Sequence, residues 1–559
     1  STLSSRAGRM GDRAREQSQS ACRTERLCGS NKMPNDILRR NFLFSAGAFG
    51  LITGLHPSVR PETKSPGTVW HSVREFGAVG DGKRSDTQSI LAAIKFCASQ
   101  GGGTVYFPPG KYLTGALKLE SNIRLHLDSG AIVLGSQDPK DYPVYPNPWP
   151  DGTRQISSLI YGEELVNVSL SGQGVIDGQG RAWWVREWLR SAKKRVPVPG
   201  LTESQRREEI AKLQFGRPRL IRLVRCRNVR LEGVTLTNSP EWTVNPVFCE
   251  YVTIDGVTIL NPVPSPNTDG IDPESCRNVH ISNCHIDVGD DCIAIKSGKD
   301  EVGRRVGRPC ENITITNLTT AHGHGGVSIG SEMSGGVRNV AISNCAFLGT
   351  QRGIRIKTQR GRGGEVEGIV AANITMQDVP EAFTLTMFYT QGDVESEHLV
   401  GEGTPRFRNF HFSNMTAQGS RSAGQITGLR EMPISSVVLN NIRVDAARGF
   451  SCHNARELRL HDVRIESSEG PALSAKNVAS LEINGFYSSS PHTGTAVIEL
   501  DQVEDVFVHG CYASRGTSRF LKVSGNRSSN IVLRANNLGH VPQRVVLAEG
   551  LNPAILSEK

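Results

Sequence analysis

The chain has 559 residues, 37% of them hydrophobic and 21% charged, with 59 glycines and only 6% aromatics. That balance fits a folded, turn-rich β protein and argues against a disordered chain or a helical bundle. The formal charge of +9 hints at nucleic acid, but residues 1–70 hold 11 Lys and Arg against 5 Asp and Glu, which leaves the rest at 53 against 50. A near-neutral body does not read as a nucleic-acid-binding protein.

No apolar run reaches the ~18 residues of a membrane-spanning helix, so no integral membrane segment is expected. Residues 36–55 place Arg39 and Arg40 before a short, mildly apolar stretch from Leu43 to Leu55. This resembles a bacterial twin-arginine export signal, which predicts a periplasmic or extracellular protein. Met33 stands where such a signal would start, and sequencing of the precursor's N-terminus tests that expectation. Residues 56–68, with three prolines, read as a linker. The expected division is therefore 1–68 as extension and 69–559 as the folded domain.

From about residue 165 the sequence repeats. The unit is apolar-x-apolar, two small or polar residues, then another apolar residue. It reads Val229-Arg-Leu231-Glu-Gly-Val234, Val252-Thr-Ile254-Asp-Gly-Val257, Val279-His-Ile281-Ser-Asn-Cys284 and Ile313-Thr-Ile315-Thr-Asn-Leu318. Further copies start at Val340, Phe410, Val437, Leu458, Leu481 and Val506. Period-two alternation makes each copy a strand, and the Asn or Gly after it makes a turn. One such strand cannot bury its own face, but stacked copies bury a continuous apolar column. Copies 21–34 residues apart without helical returns predict an all-β, right-handed parallel β-helix, one long coil rather than three or four domains.

An open solenoid end needs a cap. Ser85-Asp-Thr-Gln88 matches a capping box and precedes Ile90, Leu91, Ile94 and Phe96, so Asp86–Ser99 is expected to be a short helix plugging the N-terminal end. Twelve cysteines are too few for a disulfide scaffold. Cys226, Cys249, Cys276 and Cys310 each sit three residues before the first apolar position of successive copies, as small buried thiols in a ladder would.

Four polar clusters interrupt the pattern: Asn267-Thr-Asp269-Gly-Ile-Asp272, Gly289-Asp290-Asp291-Cys292, Gly323-His324-Gly325 and Arg355-Ile-Lys357. They are separated by roughly one coil each and should form one wall. Glycoside hydrolysis needs an acid to protonate the leaving oxygen and a carboxylate to activate water or attack the sugar. Three crowded aspartates repel one another, which keeps one protonated near neutral pH. His324 can tune that proton. Arg355 and Lys357, i and i+2 on a strand, face out together, and two cations beside an acid/base site call for an anionic substrate such as a uronic-acid polymer. Singly, each cluster also reads as a turn, a solvated histidine, a Ca²⁺ ligand pair or a solvated strand face.

Together, and in this order, the clusters resemble glycoside hydrolase family 28, the polygalacturonases and their relatives in the pectin-lyase-like superfamily, over about residues 71–400. Val73-Arg-Glu-Phe-Gly-Ala-Val-Gly-Asp-Gly82, Gly174-Val-Ile-Asp-Gly178 and Ser239-Pro-Glu-Trp242 also look like family segments. The resemblance implies an inverting hydrolase of pectic polysaccharide or oligogalacturonide, without metal or cofactor, acting as a monomer. It makes Asp290 the general acid, Asp269 and Asp291 the holders of the attacking water, and His324 the keeper of the acid's proton. Arg355 and Lys357 would bind a galacturonate carboxylate, with Asn267 and Tyr389 as further sugar contacts. The catalytic coils would lie at about 220–400. Residues 179–218, with Trp183, Trp184, Trp188 and a helix expected around Glu203–Leu213, and residues 390–406 are insertions that would close one end of the cleft or pack on its flank. The alternatives are another pectic glycan, a lyase, or a non-catalytic glycan-binding β-helix.

Overall fold

The computed structural model describes residues 70–191, 200–390 and 392–558. The twin-arginine segment, Met33 and the linker lie outside the described residues. Among those described, no helix is long and apolar enough to cross a membrane.

The chain winds into a right-handed parallel β-helix of three ladders. The repeat found in the sequence is the first ladder. Val229, Val252, Val279, Ile313 and Val340 are partners in strict register, followed by Ile369, Phe410 and Val437. All are buried, so each coil lays its apolar pair on the previous one. The copy at Ile369-Val-Ala371 escaped the pattern search because alanine fills its second apolar slot.

The turn after each copy has a physical reason for its composition. Gly233, Gly256, Asn283, Asn317, Asn344 and Asn414 all have φ between 53° and 75°. Only glycine and asparagine adopt this left-handed conformation cheaply. The asparagines also bond one another up the stack: Asn317 Nδ2 donates to Asn283 Oδ1 at 3.1 Å, and Asn414 Nδ2 to Asn373 Oδ1 at 3.1 Å.

A helix, α1 (Thr87–Ser99), covers the N-terminal end through Ile90, Ala93, Ile94 and Cys97, while Phe96 turns outward. The expected capping box does not form. Asp86 precedes the helix but makes no side-chain cap; its carboxylate accepts instead from the amides of Val79 at 2.7 Å and Gly80 at 3.0 Å. It ties down the incoming loop. All ten described cysteines are free and buried, and the Cys226 amide donates to Cys249 Sγ at 3.4 Å, as a thiol ladder requires.

The third ladder positions the functional side chains. Ile160–Glu163, Ile221–Val224 and Val244–Val247 pair in sequence, and bridges carry the ladder through Ile271 and Glu274 to Ile293–Ile295. Val327–Ile329, Arg352–Lys357 and Glu381–Thr386 continue it.

Candidate active site

Ile271, Ile293, Val327 and Ile354 are register partners on this ladder. Counting back two residues puts Asp269 and Asp291 in one slot on adjacent coils. Counting back three puts Asp290 and His324 in another. The backbone agrees: the Gly270 amide donates to Asp291 O, and the His324 amide to Asp290 O. The coil intervals are therefore Asp269 to Asp291, 22 residues, and Asp290 to His324, 34 residues.

The slots bring the carboxylates together. One oxygen from each of Asp269, Asp290 and Asp291 lies within 4.8 Å of the others. His324 Nδ1 sits 2.8 Å from Asp290 Oδ1. Arg355 Nη1 donates to Asp291 Oδ1 at 2.9 Å and Lys357 Nζ to Asp291 Oδ2 at 2.6 Å. Ile354 and Ile356 point inward, as expected, and the two cations that alternate with them point out. Lys357 is nevertheless only 5% exposed, closed over by the aspartate and by Tyr389, whose ring centre is 5.4 Å from Nζ. Arg355 Cζ lies 6.0 Å from the same ring. Asn267 is exposed in the loop before Asp269, and its Oδ1 accepts from Arg217 Nη2 at 2.9 Å.

The glycines of the histidine cluster are there for space. Gly323 has φ +82°, and a Cβ on it would stand 2.6 Å from the carbonyl oxygen of Asp290. Gly323→Ala should therefore cost about 1–3 kcal/mol of stability, read as a lowered denaturant midpoint.

Sequence reasoning missed Lys296. Its Nζ lies 3.4 Å from Asp269 Oδ2, 3.3 Å from Asp272 Oδ1 and 3.8 Å from Glu332 Oε2. It also stands 3.8 Å over the ring of Trp242, whose centre lies 4.4 Å from the Arg219 guanidinium. A signal existed: Ile293-Ala-Ile-Lys296 repeats the spacing of Ile354-Arg-Ile-Lys357 two coils earlier. The aspartates are close enough to hold a cation, but Arg355, Lys357 and Lys296 already supply three positive charges to them.

These charges split the aspartates. Burial pushes Asp269 up to about 7, against the pull of Lys296, and the charges of Asp290 and Asp291 add to the rise. Asp291 is equally buried, but Lys357 and Arg355 hold it far below the usual carboxylate range. Burial would raise Asp290 too, yet the His324 hydrogen bond leaves it lowered. One protonated carboxyl near neutral pH is what the sequence argument expects of Asp290, but in the free protein Asp290 is lowered, whereas burial raises Asp269 and, beside it, Asp272. Sequence reasoning had no means of seeing that His324 and Asp290 share a slot.

The 179–218 insertion folds as two helices, α2 (Arg181–Arg190) and α3 (Glu203–Ala211), of which only the second was expected. Trp183 and Trp184 are buried anchors, and Trp184 Nε1 donates to Ser239 O. The insertion reaches the site through Arg217, which donates to the Pro240 and Pro266 carbonyls and to Asn267. The second insertion is pinned by Arg360 Nη2, which donates to Ser396 O at 2.9 Å, and by Lys476–Glu395 at 2.8 Å. Its Val394 lines a 340 Å³ cavity with Arg355, Lys357 and Tyr389.

The model for glycosyl hydrolases family 28 matches residues 151–461. The chain belongs to that family. It is a glycoside hydrolase. A probable polygalacturonase of Vitis vinifera is 36% identical over 388 residues, covering 67% of this chain and 74% of the relative. Among solved structures, a hyperthermoactive exopolygalacturonase from Thermotoga maritima superposes with a TM-score of 0.60 at 31% identity, over 70% of this family 28 chain and 92% of its own. The polygalacturonase of Erwinia carotovora ssp. carotovora gives 0.54 at 27% identity, over 67% and 94%. A second family model, rhamnogalacturonase A/epimerase, pectate lyase-like, matches residues 70–132, which contain none of the site residues.

Proposed function

We propose that this hydrolase cleaves α-1,4-galacturonosyl bonds of pectin, by inversion. The observation that carries the reading is the cluster of three aspartates in which Asp290 is held by His324 and Asp291 by Arg355 and Lys357. A galacturonate carboxylate engaging Arg355 and Lys357 would take up the positive charge that now depresses Asp291, and would add its own negative charge beside Asp290, which His324 holds lowered. Asp290 then gains affinity for the proton that Asp269 holds in the free enzyme. Asp290 protonates the glycosidic oxygen, while Asp269 and Asp291, in one slot on adjacent coils, hold the attacking water. The acid state thus forms when an anionic substrate is in place.

The carboxylates are closer than the ~6.5–9.5 Å of a standard inverting pair. Inversion here depends on water held beside the two aspartates rather than between distant partners. Asp291, paired with two cations, is a poor nucleophile, which disfavours a covalent intermediate.

Because kcat/KM reports the free enzyme, it should fall about tenfold per unit as pH rises beyond about 7, where Asp269 loses the shared proton. A flat kcat/KM between pH 6 and 9 contradicts the assignment. Sizing products from polygalacturonate over time separates exo action, with monomer from the start, from endo action, with a spread of oligomers. The reading extends to a monomeric, exported enzyme with residues 1–68 as address and 69–559 as catalytic domain. Size-exclusion with light scattering and localisation of an Arg39→Lys/Arg40→Lys precursor check those two points.

A further inference from the structure

Arg217 ends the 179–218 insertion with a buried guanidinium, 6% exposed. Counting back four residues from the register partners Ile221, Val244 and Ile271 puts Arg217, Pro240 and Asn267 in one slot on three successive coils. The arginine bonds across that slot. Nη1 donates to Pro240 O and to Pro266 O, both at 2.7 Å, and Nη2 donates to Asn267 Oδ1 at 2.9 Å. Nε lies 3.8 Å from Glu187 Oε2 on α2. Proline fixes its own φ, so two of the three acceptors are carbonyls on stiff backbone, and a planar fork that answers both is left with one orientation.

The third bond decides which way Asn267 faces. A guanidinium only donates, so the end of the amide that meets it is the oxygen. Nδ2, the other end, makes no bond among the described residues, and the side chain is exposed. The backbone of Asn267 is left-handed, with φ +54°, a conformation that asparagine and aspartate tolerate. Rotation of the side chain is the freedom that remains, and the bond from Arg217 removes it.

We infer that Arg217 is a positioning residue for substrate recognition: it turns Asn267 so that the Nδ2 hydrogens, rather than the oxygen, meet an acceptor oxygen of the sugar. The inference rests on the galacturonan reading above, with Asn267 as a sugar contact, and deepens it by making that contact a donor set from the insertion. An amide that grips the sugar equally before and during bond cleavage contributes to KM and not to kcat.

The test is a double-mutant cycle on polygalacturonate hydrolysis with Arg217→Lys and Asn267→Gly. Lysine keeps the charge but has no fork, and glycine at a left-handed position removes the side chain without strain. Each single variant should raise KM about tenfold, the worth of a good hydrogen bond. Neither should lower kcat or move the alkaline limb of kcat/KM. The double variant should be no worse than Asn267→Gly, because Arg217 acts through that side chain. Additive losses, or a fall in kcat with a displaced alkaline limb, overturn the inference and make Arg217 a prop for the loop of Asp269. Asn267→Asp carries the test if Arg217→Lys does not fold. Its carboxylate takes the same bond from Arg217, so the melting temperature should not fall, but it offers the sugar only acceptors, so KM should rise at least as far as in Asn267→Gly. A lowered melting temperature or a parental KM in Asn267→Asp overturns the inference. Failure of the parent enzyme to hydrolyse polygalacturonate would instead overturn the galacturonan reading, a separate outcome.

Discussion

Asp290→Asn should lower kcat on polygalacturonate by about 10²–10⁴-fold, the usual worth of a general acid. The amide keeps the shape of the side chain and can still bond the His324 ring, now 2.8 Å from the carboxylate. It cannot deliver a proton to the leaving oxygen. Because Arg355, Lys357 and Tyr389 are untouched, KM should change little, and the melting temperature should hold. A kcat within a factor of ten of the parent would mean that another group donates the proton. The first suspect would then be Asp269, which holds it in the free enzyme.

Lys296→Met should have the largest effect on stability. Its ammonium lies within 4 Å of Asp269, Asp272 and Glu332, and the first two carboxylates are buried almost completely. Removing the cation leaves them uncompensated, a change that costs about 3–5 kcal/mol when one partner of a buried pair is lost. The carboxylates can relieve the cost only by holding protons. Asp269 would then keep its proton to higher pH, and the alkaline limb of kcat/KM should move upward from about 7. Adding Asp272→Asn removes one of the buried carboxyls left without its partner and should return part of the stability. A double variant as unstable as Lys296→Met alone would mean that the cost is lost packing on Trp242, not charge.

The contrast between Lys296 and Lys357 shows how much of the site was legible in the sequence. Lys357 announced itself because Arg355 stood beside it on the same strand face. Lys296 repeats the spacing but has Ala294 as its neighbour, so nothing marked it as part of a cationic wall. The first ladder was readable almost throughout, because in-out alternation and left-handed turn residues are local requirements written into each coil. The third ladder was not. Its strands are short, interrupted by the insertions, and carry functional side chains where the pattern would place solvated ones. Asp86 failed as a cap because the loop just before it, at Val79 and Gly80, takes its carboxylate. Which aspartate holds the proton lay beyond reach, because it depends on contacts across coils.

The most direct test of the central claim is the anomer first formed when polygalacturonate is cleaved, followed by proton NMR before mutarotation. Inverting hydrolysis of an α-1,4 bond predicts the β-anomer at the new reducing end, with no unsaturated sugar. Initial α-anomer would contradict the water-mediated role of Asp269 and Asp291, and an unsaturated product would contradict hydrolysis altogether.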